Sequence, residues 1–141
     1  MKHDQIDYHQ FLELSYQLLE KLKKKSEKYQ GILCPLRGGF FLSYFMSNHL
    51  KLPIQYLEIS SYDGKTQKEF KIKNKTKLKK GKYLLCDDIY DTGKTIKKIK
   101  EIFPDCDFDS VFLVSKQNRD DILFAQKAEK KVWVDFFWET M

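Results

Sequence analysis

Arginine is almost missing from a chain otherwise rich in cations: of 26 Lys and Arg residues, only Arg37 and Arg119 carry a guanidinium. Recognition of bases and phosphates favours that planar fork. The net charge of +6 therefore reads as a solvated, lysine-rich surface, and no nucleic-acid partner is expected. Cysteine is scarce as well. Cys34, Cys86 and Cys106 show no CxxC spacing and leave an odd one unpaired, which points to a reduced, cytoplasmic compartment with Cys34 and Cys86 as small buried apolar residues. Long apolar runs are lacking: the longest, Phe40 to Met46 with Ser43 inside it, is far too short to span a bilayer. Met1 to Asp7 does not read as a signal peptide, and His3, His9 and His49 have no metal-site spacing.

What is present argues for a compact fold. The 141 residues suit a single domain, and 42% hydrophobic with 15% aromatic residues makes a disordered chain untenable. Tyr8, Phe11, Leu12, Leu18, Leu19 and Leu22 recur at helical spacing, predicting an amphipathic helix from Tyr8 to about Tyr29, with a cationic end over Lys21 to Lys28 and Gly31 as its stop. Gly31 to Leu36 predicts a strand, Arg37-Gly38-Gly39 a turn, and Phe40 to Leu50 a helix. Ile54 to Ser60 reads as a strand, followed by an exposed, mobile, lysine-rich ribbon over 61–80. Tyr83 to Cys86 predicts a strand, Ile96 to Phe103 a short helix, Val111 to Val114 another strand, and Val132 to Trp138 a closing aromatic segment. Strands alternating with helices predict an α/β fold with a mostly parallel central sheet flanked by helices. In such a fold ligands bind at the carboxyl ends of the strands.

Two turns fall at that edge. In Asp91-Thr92-Gly93-Lys94-Thr95 the backbone amides and the hydroxyls of Thr92 and Thr95 would cradle an anion at a helix N-terminus. Gly93-Lys94-Thr95 is not a nucleotide triphosphatase P-loop, because Asp88 stands where that motif needs its first glycine. Asp87 and Asp88 precede the cradle directly. Carboxylates repel phosphate, so their placement implies a ligand with hydroxyls or a bound cation beside its phosphate, as in a sugar phosphate with Mg²⁺.

The run Leu84 to Thr95, LLCDDIYDTGKT, closely resembles the phosphoribosyl pyrophosphate (PRPP) motif of the type I phosphoribosyltransferases. Leu36-Arg-Gly-Gly39, Ser60-Ser-Tyr-Asp63 and Trp133-Val-Asp-Phe-Phe-Trp-Glu139 bring the resemblance nearest to the bacterial xanthine-guanine branch, over about residues 31–139. The resemblance implies the type I fold with a small C-terminal hood over about 116–141, and the 61–80 segment as a mobile lid that excludes water. It assigns PRPP to Arg37, Gly38, Gly39, Lys68, Asp87, Asp88, Ile89, Tyr90, Asp91, Thr92, Gly93, Lys94 and Thr95. Lys68 stands where that branch tends to carry an arginine. It further implies Mg²⁺ at Asp88, a cis peptide between Leu36 and Arg37, and Asp91 as the catalytic residue at purine N7. The purine would meet Asp91, Lys116 at O6, a stacking Trp133, and main-chain acceptors near Trp133 and Val134.

The activity so implied is purine salvage: guanine or xanthine, and more weakly hypoxanthine, plus PRPP giving the nucleoside monophosphate and pyrophosphate. A homo-oligomer, dimer or tetramer, is implied as well. The alternative is a PRPP-sensing regulatory module on the same fold that uses its lysines on nucleic acid.

Overall fold

A computed structural model describes residues 2–64, 67–72 and 77–141, and the side chains outside 60–76. In chain order the elements are β1 (His3–Ile6), α1 (Tyr8–Lys24), β2 (Gly31–Leu36), α2 (Phe40–Leu50), β3 (Ile54–Gly64), β4 (Gln67–Ile72), β5 (Gly81–Tyr90), α3 (Lys94–Ile102), β6 (Cys106–Ser115), β7 (Leu123–Lys127) and β8 (Trp133–Phe136). A 3₁₀ turn follows at Phe137–Thr140. Six strands form one sheet in the order β4-β3-β2-β5-β6-β7, and β1 pairs with β8 in a separate two-stranded sheet. All pairings are parallel except β3 with β4.

The buried strands divide their side chains between two faces with the period of two that a pleated strand imposes. Ile32, Leu84 and Cys86 join α1 and α2 in one core, through Phe11, Leu18, Leu42 and Met46. Leu33 and Leu85 turn to the other face and meet Ile96, Ile99 and Phe103 of α3 and its end. From β2 the chain crosses through α2 to β3 on one side of the sheet, while from β5 it crosses through α3 to β6 on the other. The β2–β5 boundary is thus the point where strand order reverses, and the turns after these two strands part there to leave a crevice. Among the described residues no helix is long and apolar enough to cross a membrane.

Several boundaries differ from the sequence reading. Helix α1 ends at Lys24 rather than near Tyr29. Leu22 is its last buried residue, and Lys25 turns extended while its N–H still reaches the Leu22 carbonyl; the exposed lysines beyond offer no apolar anchor. Strand β5 continues to Tyr90 instead of ending at Cys86, because β6 keeps pairing with it at Asp87↔Phe112, Ile89↔Val114 and Tyr90↔Ser115. Helix α3 starts two residues earlier than expected, at Lys94, and stops one earlier, at Ile102. Within 61–80, β3 runs on to Gly64 and pairs antiparallel with β4. The side chains assigned to the lid, including Lys68, lie outside the described residues. Strands β1 and β7 carried no recognised signal.

Ser15 of α1 is fully buried, and its Oγ has no hydrogen-bond partner among the described residues. Ser15→Ala removes a desolvated, unpaired hydroxyl and improves helix propensity, a gain of about 1 kcal/mol. Thermal unfolding should move up by about 3–5 °C; a lower midpoint would contradict the assignment of Ser15 as unpaired.

Candidate active site

The turn after β2 begins with a cis peptide between Leu36 and Arg37, in agreement with the expectation. The Gly39 amide donates to the Pro35 carbonyl at 2.9 Å and the Phe40 amide to the Arg37 carbonyl at 3.2 Å, folding the turn back to start α2. Gly38 is needed for space: a Cβ there would lie 2.5 Å from Oδ2 of Asp88. The glycine loop and the acid of the neighbouring strand are therefore in direct contact.

Asp87 and Asp88 sit at the end of β5, half-buried. The Asp88 amide donates to Asp87 Oδ1 at 2.9 Å, and the Ile89 amide to Asp88 Oδ1 at 2.7 Å. Those bonds favour the ionised form, but burial outweighs them. Desolvation raises Asp87 well above the usual carboxylate range, with the charge of Asp88 adding to it. Asp88 is raised too, first by desolvation and further by the Glu139 carboxylate. No cation lies within ion-pair distance of either acid among the described residues. Both line a cavity of about 210 Å³ with Pro35, Leu36, Gly38, Ile59 and Thr95. Asp88 also borders a larger cleft of about 1020 Å³, along with Arg37, Phe41, Glu58, Trp138 and Glu139.

Beyond β5 the chain turns at Gly93, whose φ of 84° is in the left-handed region and whose Cβ, if present, would lie 2.5 Å from the Tyr90 hydroxyl oxygen. Gly93 caps α3 without a side-chain hydrogen bond, so the first-turn amides of α3 remain available to an anion. Asp91, Thr92 and Lys94 are exposed around that cradle, and Thr95 faces the smaller cavity.

Of the residues assigned to the purine, Asp91 belongs to this loop and Lys116 is tied to it through its main chain. The Lys116 amide donates to the Tyr90 carbonyl at 2.9 Å, and the Gln117 side-chain amide donates to the Asp91 carbonyl at 2.7 Å. The Lys116 ammonium reaches the Lys130 carbonyl at 3.4 Å, three residues before Trp133. Trp133 is 52% exposed, while the Val134 side chain is buried. Because the Trp133 amide donates to the Lys2 carbonyl at 2.9 Å, alternation turns the backbone groups of Val134 away from β1, toward the unpaired edge of β8.

The structure thus brings Gly38 against Asp88, both acids and Thr95 around one cavity, and Arg37 to the cleft beside it. Ile89 and Tyr90 stand apart from that grouping, since their side chains pack into the two cores and leave only main chain to face a ligand. Residues to which the sequence assigned no role also border the site: Gln117, Glu139, and the stacked pair Phe41 and Trp138, with centroids 4.9 Å apart; Trp138 and Glu139 close the Trp133–Glu139 motif. Two half-buried acids with no cation in ion-pair range among the described residues suit Mg²⁺, which takes one or two carboxylates and completes its shell with water and substrate phosphates. Among the described residues no group of three or more His, Cys, Asp or Glu side chains is placed to hold a metal ion.

The model of the phosphoribosyl transferase domain matches residues 4–131. The chain belongs to this family. Over 127 residues it is 28% identical to the xanthine-guanine phosphoribosyltransferase of Idiomarina loihiensis, covering 86% of this chain and 78% of that relative. It superposes on the Helicobacter pylori xanthine-guanine-hypoxanthine phosphoribosyltransferase with a TM-score of 0.78 and 30% identity, covering 97% of this chain and 94% of the other. A purine phosphoribosyltransferase of Pyrococcus horikoshii, at 22% identity, shares the fold with a TM-score of 0.80 over 98% of this chain and 94% of its own. The phosphoribosyltransferase fold thus accounts for a parallel sheet whose two central turns converge on one pair of acids.

The raised acids have a measurable consequence. A carboxyl group whose folded pKa exceeds its unfolded value, about 3.9 for Asp, favours folding while protonated and loses that advantage as pH rises toward the folded pKa. Asp87→Asn keeps an acceptor for the Asp88 amide and cannot ionise. The variant should unfold about 2–4 °C above the parent at pH 8, with the difference shrinking toward pH 4. A constant or inverted difference would contradict the assigned shift.

Proposed function

We propose that this phosphoribosyltransferase moves the 5-phosphoribosyl group of PRPP onto a 6-oxopurine, releasing pyrophosphate and forming the nucleoside monophosphate. Guanine and xanthine are the assigned acceptors, with hypoxanthine weaker. The observation that carries the reading is the uncompensated Asp87–Asp88 pair, set between an anion cradle at α3 and the glycine loop at Arg37–Gly39. Such an arrangement fits a ligand with a phosphate at one end, a diol in the middle and a second anion beyond it.

In this reading the Asp91–Thr95 amides and hydroxyls bind the 5′-phosphate, and Asp87 and Asp88 accept hydrogen bonds from the ribose hydroxyls. Arg37 and the amides of Gly38 and Gly39 hold the pyrophosphate, with Lys68 contributing from the lid. Asp88 would also hold Mg²⁺, which when bound neutralises charge on the departing pyrophosphate. The bond from the anomeric carbon to the pyrophosphate oxygen breaks through an oxocarbenium-like state, and a bond to the purine nitrogen forms from the opposite face. Pyrophosphate keeps the bonding electron pair. Carboxylates beside the ribose stabilise the positive charge that develops there. The proton lost from the purine goes to Asp91, held by its main chain at Gln117.

Base choice rests on pairing. Lys116 donates to O6; adenine would place a donor there and leave the ammonium unpaired. Trp133 offers a half-exposed ring for stacking, and the Val134 carbonyl on the free edge of β8 suits a 2-amino group. The same proposal treats 1–141 as one catalytic domain with its hood over 116–141 and its lid over 61–80. It further places the enzyme in the cytoplasm as a dimer or tetramer.

Purified protein with PRPP, Mg²⁺ and each purine base in turn should form nucleotide from guanine and xanthine and none from adenine. PRPP binding with no nucleotide from any base would favour the sensing module instead. Asp91→Asn should lower kcat by about 10²-fold or more and leave the PRPP Kd within about twofold; equal turnover would remove Asp91 from the proton role.

A further inference from the structure

Strand β8 has four residues, and its ladder partner is the equally short β1. A two-stranded ribbon is marginal by itself; Val134 and Phe136 anchor one face of β8 in the main core, and on the other face the exposed Trp133 depends on what holds β1. At its far end β1 is well anchored. Ile6 is 1% exposed in the main core. Asp7 then caps α1 with a reciprocal pair of bonds, accepting from the Gln10 amide at 2.8 Å while its own amide donates to Gln10 Oε1 at 2.9 Å.

From that anchor β1 pairs with β8 from His3↔Trp133 to Ile6↔Phe136, and two further contacts join the strands. The Lys2 carbonyl accepts from the Trp133 amide, and His3 Nδ1 lies 2.7 Å from Asp135 Oδ2. His3 is in register with Trp133, and Asp135 is two residues on, so His3, Trp133 and Asp135 share one face of the ribbon. Val134 and Phe136 turn to the core on the other. The imidazole thus ties down the strand on the side from which the Trp133 ring projects.

We infer that β1 is part of the purine site, and that His3 and Asp135 are positioning residues that fix where β8 presents its stacking ring and its free main-chain edge. The inference rests on the proposed role of β8 in holding the base. Small misplacements of positioning groups are costly, and this one acts on the base without touching PRPP.

Steady-state kinetics with guanine and PRPP test it on wild-type protein, His3→Ala, His3→Asn, Asp135→Ala and the His3→Ala/Asp135→Ala double variant. His3→Ala and Asp135→Ala should each raise the guanine KM by about three- to fivefold, with kcat and the PRPP KM within about twofold of wild type. His3→Asn keeps an N–H near the Nδ1 position and should restore the guanine KM. The double variant should be no worse than either single one, because one shared bond is lost. An unmoved guanine KM in active variants, or a PRPP KM that rises in parallel, overturns the inference and leaves the assigned function standing. Wild-type protein that forms nucleotide from no purine overturns the function itself.

Discussion

Two consecutive carboxylates at the end of a buried strand cannot both ionise at low cost unless positive charge or hydrogen-bond donors arrive from outside the chain. Asp87 and Asp88 are in that position. Main-chain amides satisfy one oxygen of each, yet burial still pushes both groups up, helped by the charge of Asp88 at Asp87 and of Glu139 at Asp88. A purely structural role would place a lysine or arginine beside them. Instead the neighbouring contacts are Gly38 and Thr95, and the larger cleft beside Asp88 holds a third carboxylate at Glu139 and an Arg37 that makes no ion pair with either aspartate. The protein keeps an electrostatic deficit at the mouth of its sheet, and a ligand carrying cations and hydroxyls can relieve it.

The rest of the fold serves to hold that deficit in place. Strand β5 lies between β2 and β6 at the centre of the sheet, with each face covered by its own apolar core. Its end is fixed by long pairing with β6, which carries the backbone of Asp87 to Tyr90 without a break in direction. The reversal of strand order between β2 and β5 opens the crevice, and the two turns facing it supply amides rather than side-chain bulk. The part of the fold proposed to hold the purine is built differently. It rests on the β1–β8 ribbon, anchored in the main core by Ile6, Val134 and Phe136, and on the turn after Ser115, tied to the loop after β5 by the bonds from Lys116 to Tyr90 and from Gln117 to Asp91.

Much of this architecture could be read from local sequence, because buried parallel strands leave short apolar runs and the anion cradle leaves a glycine and two threonines in fixed order. Gly31 to Leu36 and Phe40 to Leu50 are a strand and a helix over the residues expected. Element ends were harder. The acids Asp87 and Asp88 looked like turn residues by composition, and only pairing with β6 makes them strand. The cationic run after Leu22 resembled a helix end by charge, although nothing there is buried. Strand β1 was invisible for a related reason: His3-Asp-Gln-Ile6 has one apolar residue, and its strand character comes from a partner 130 residues away. The closeness of Glu139 to Asp88 was likewise a fact of folding, with no local signal.

The central claim is that the Asp91–Thr95 loop and the Asp87–Asp88 pair grip one ligand together. A crystal structure of the protein with PRPP and Mg²⁺ tests it most directly. The account requires the 5′-phosphate on the first-turn amides of α3, the ribose hydroxyls on the two aspartates, and pyrophosphate over Gly38 and Gly39. A sugar phosphate bound elsewhere, with the acids still facing only solvent and each other, would contradict it.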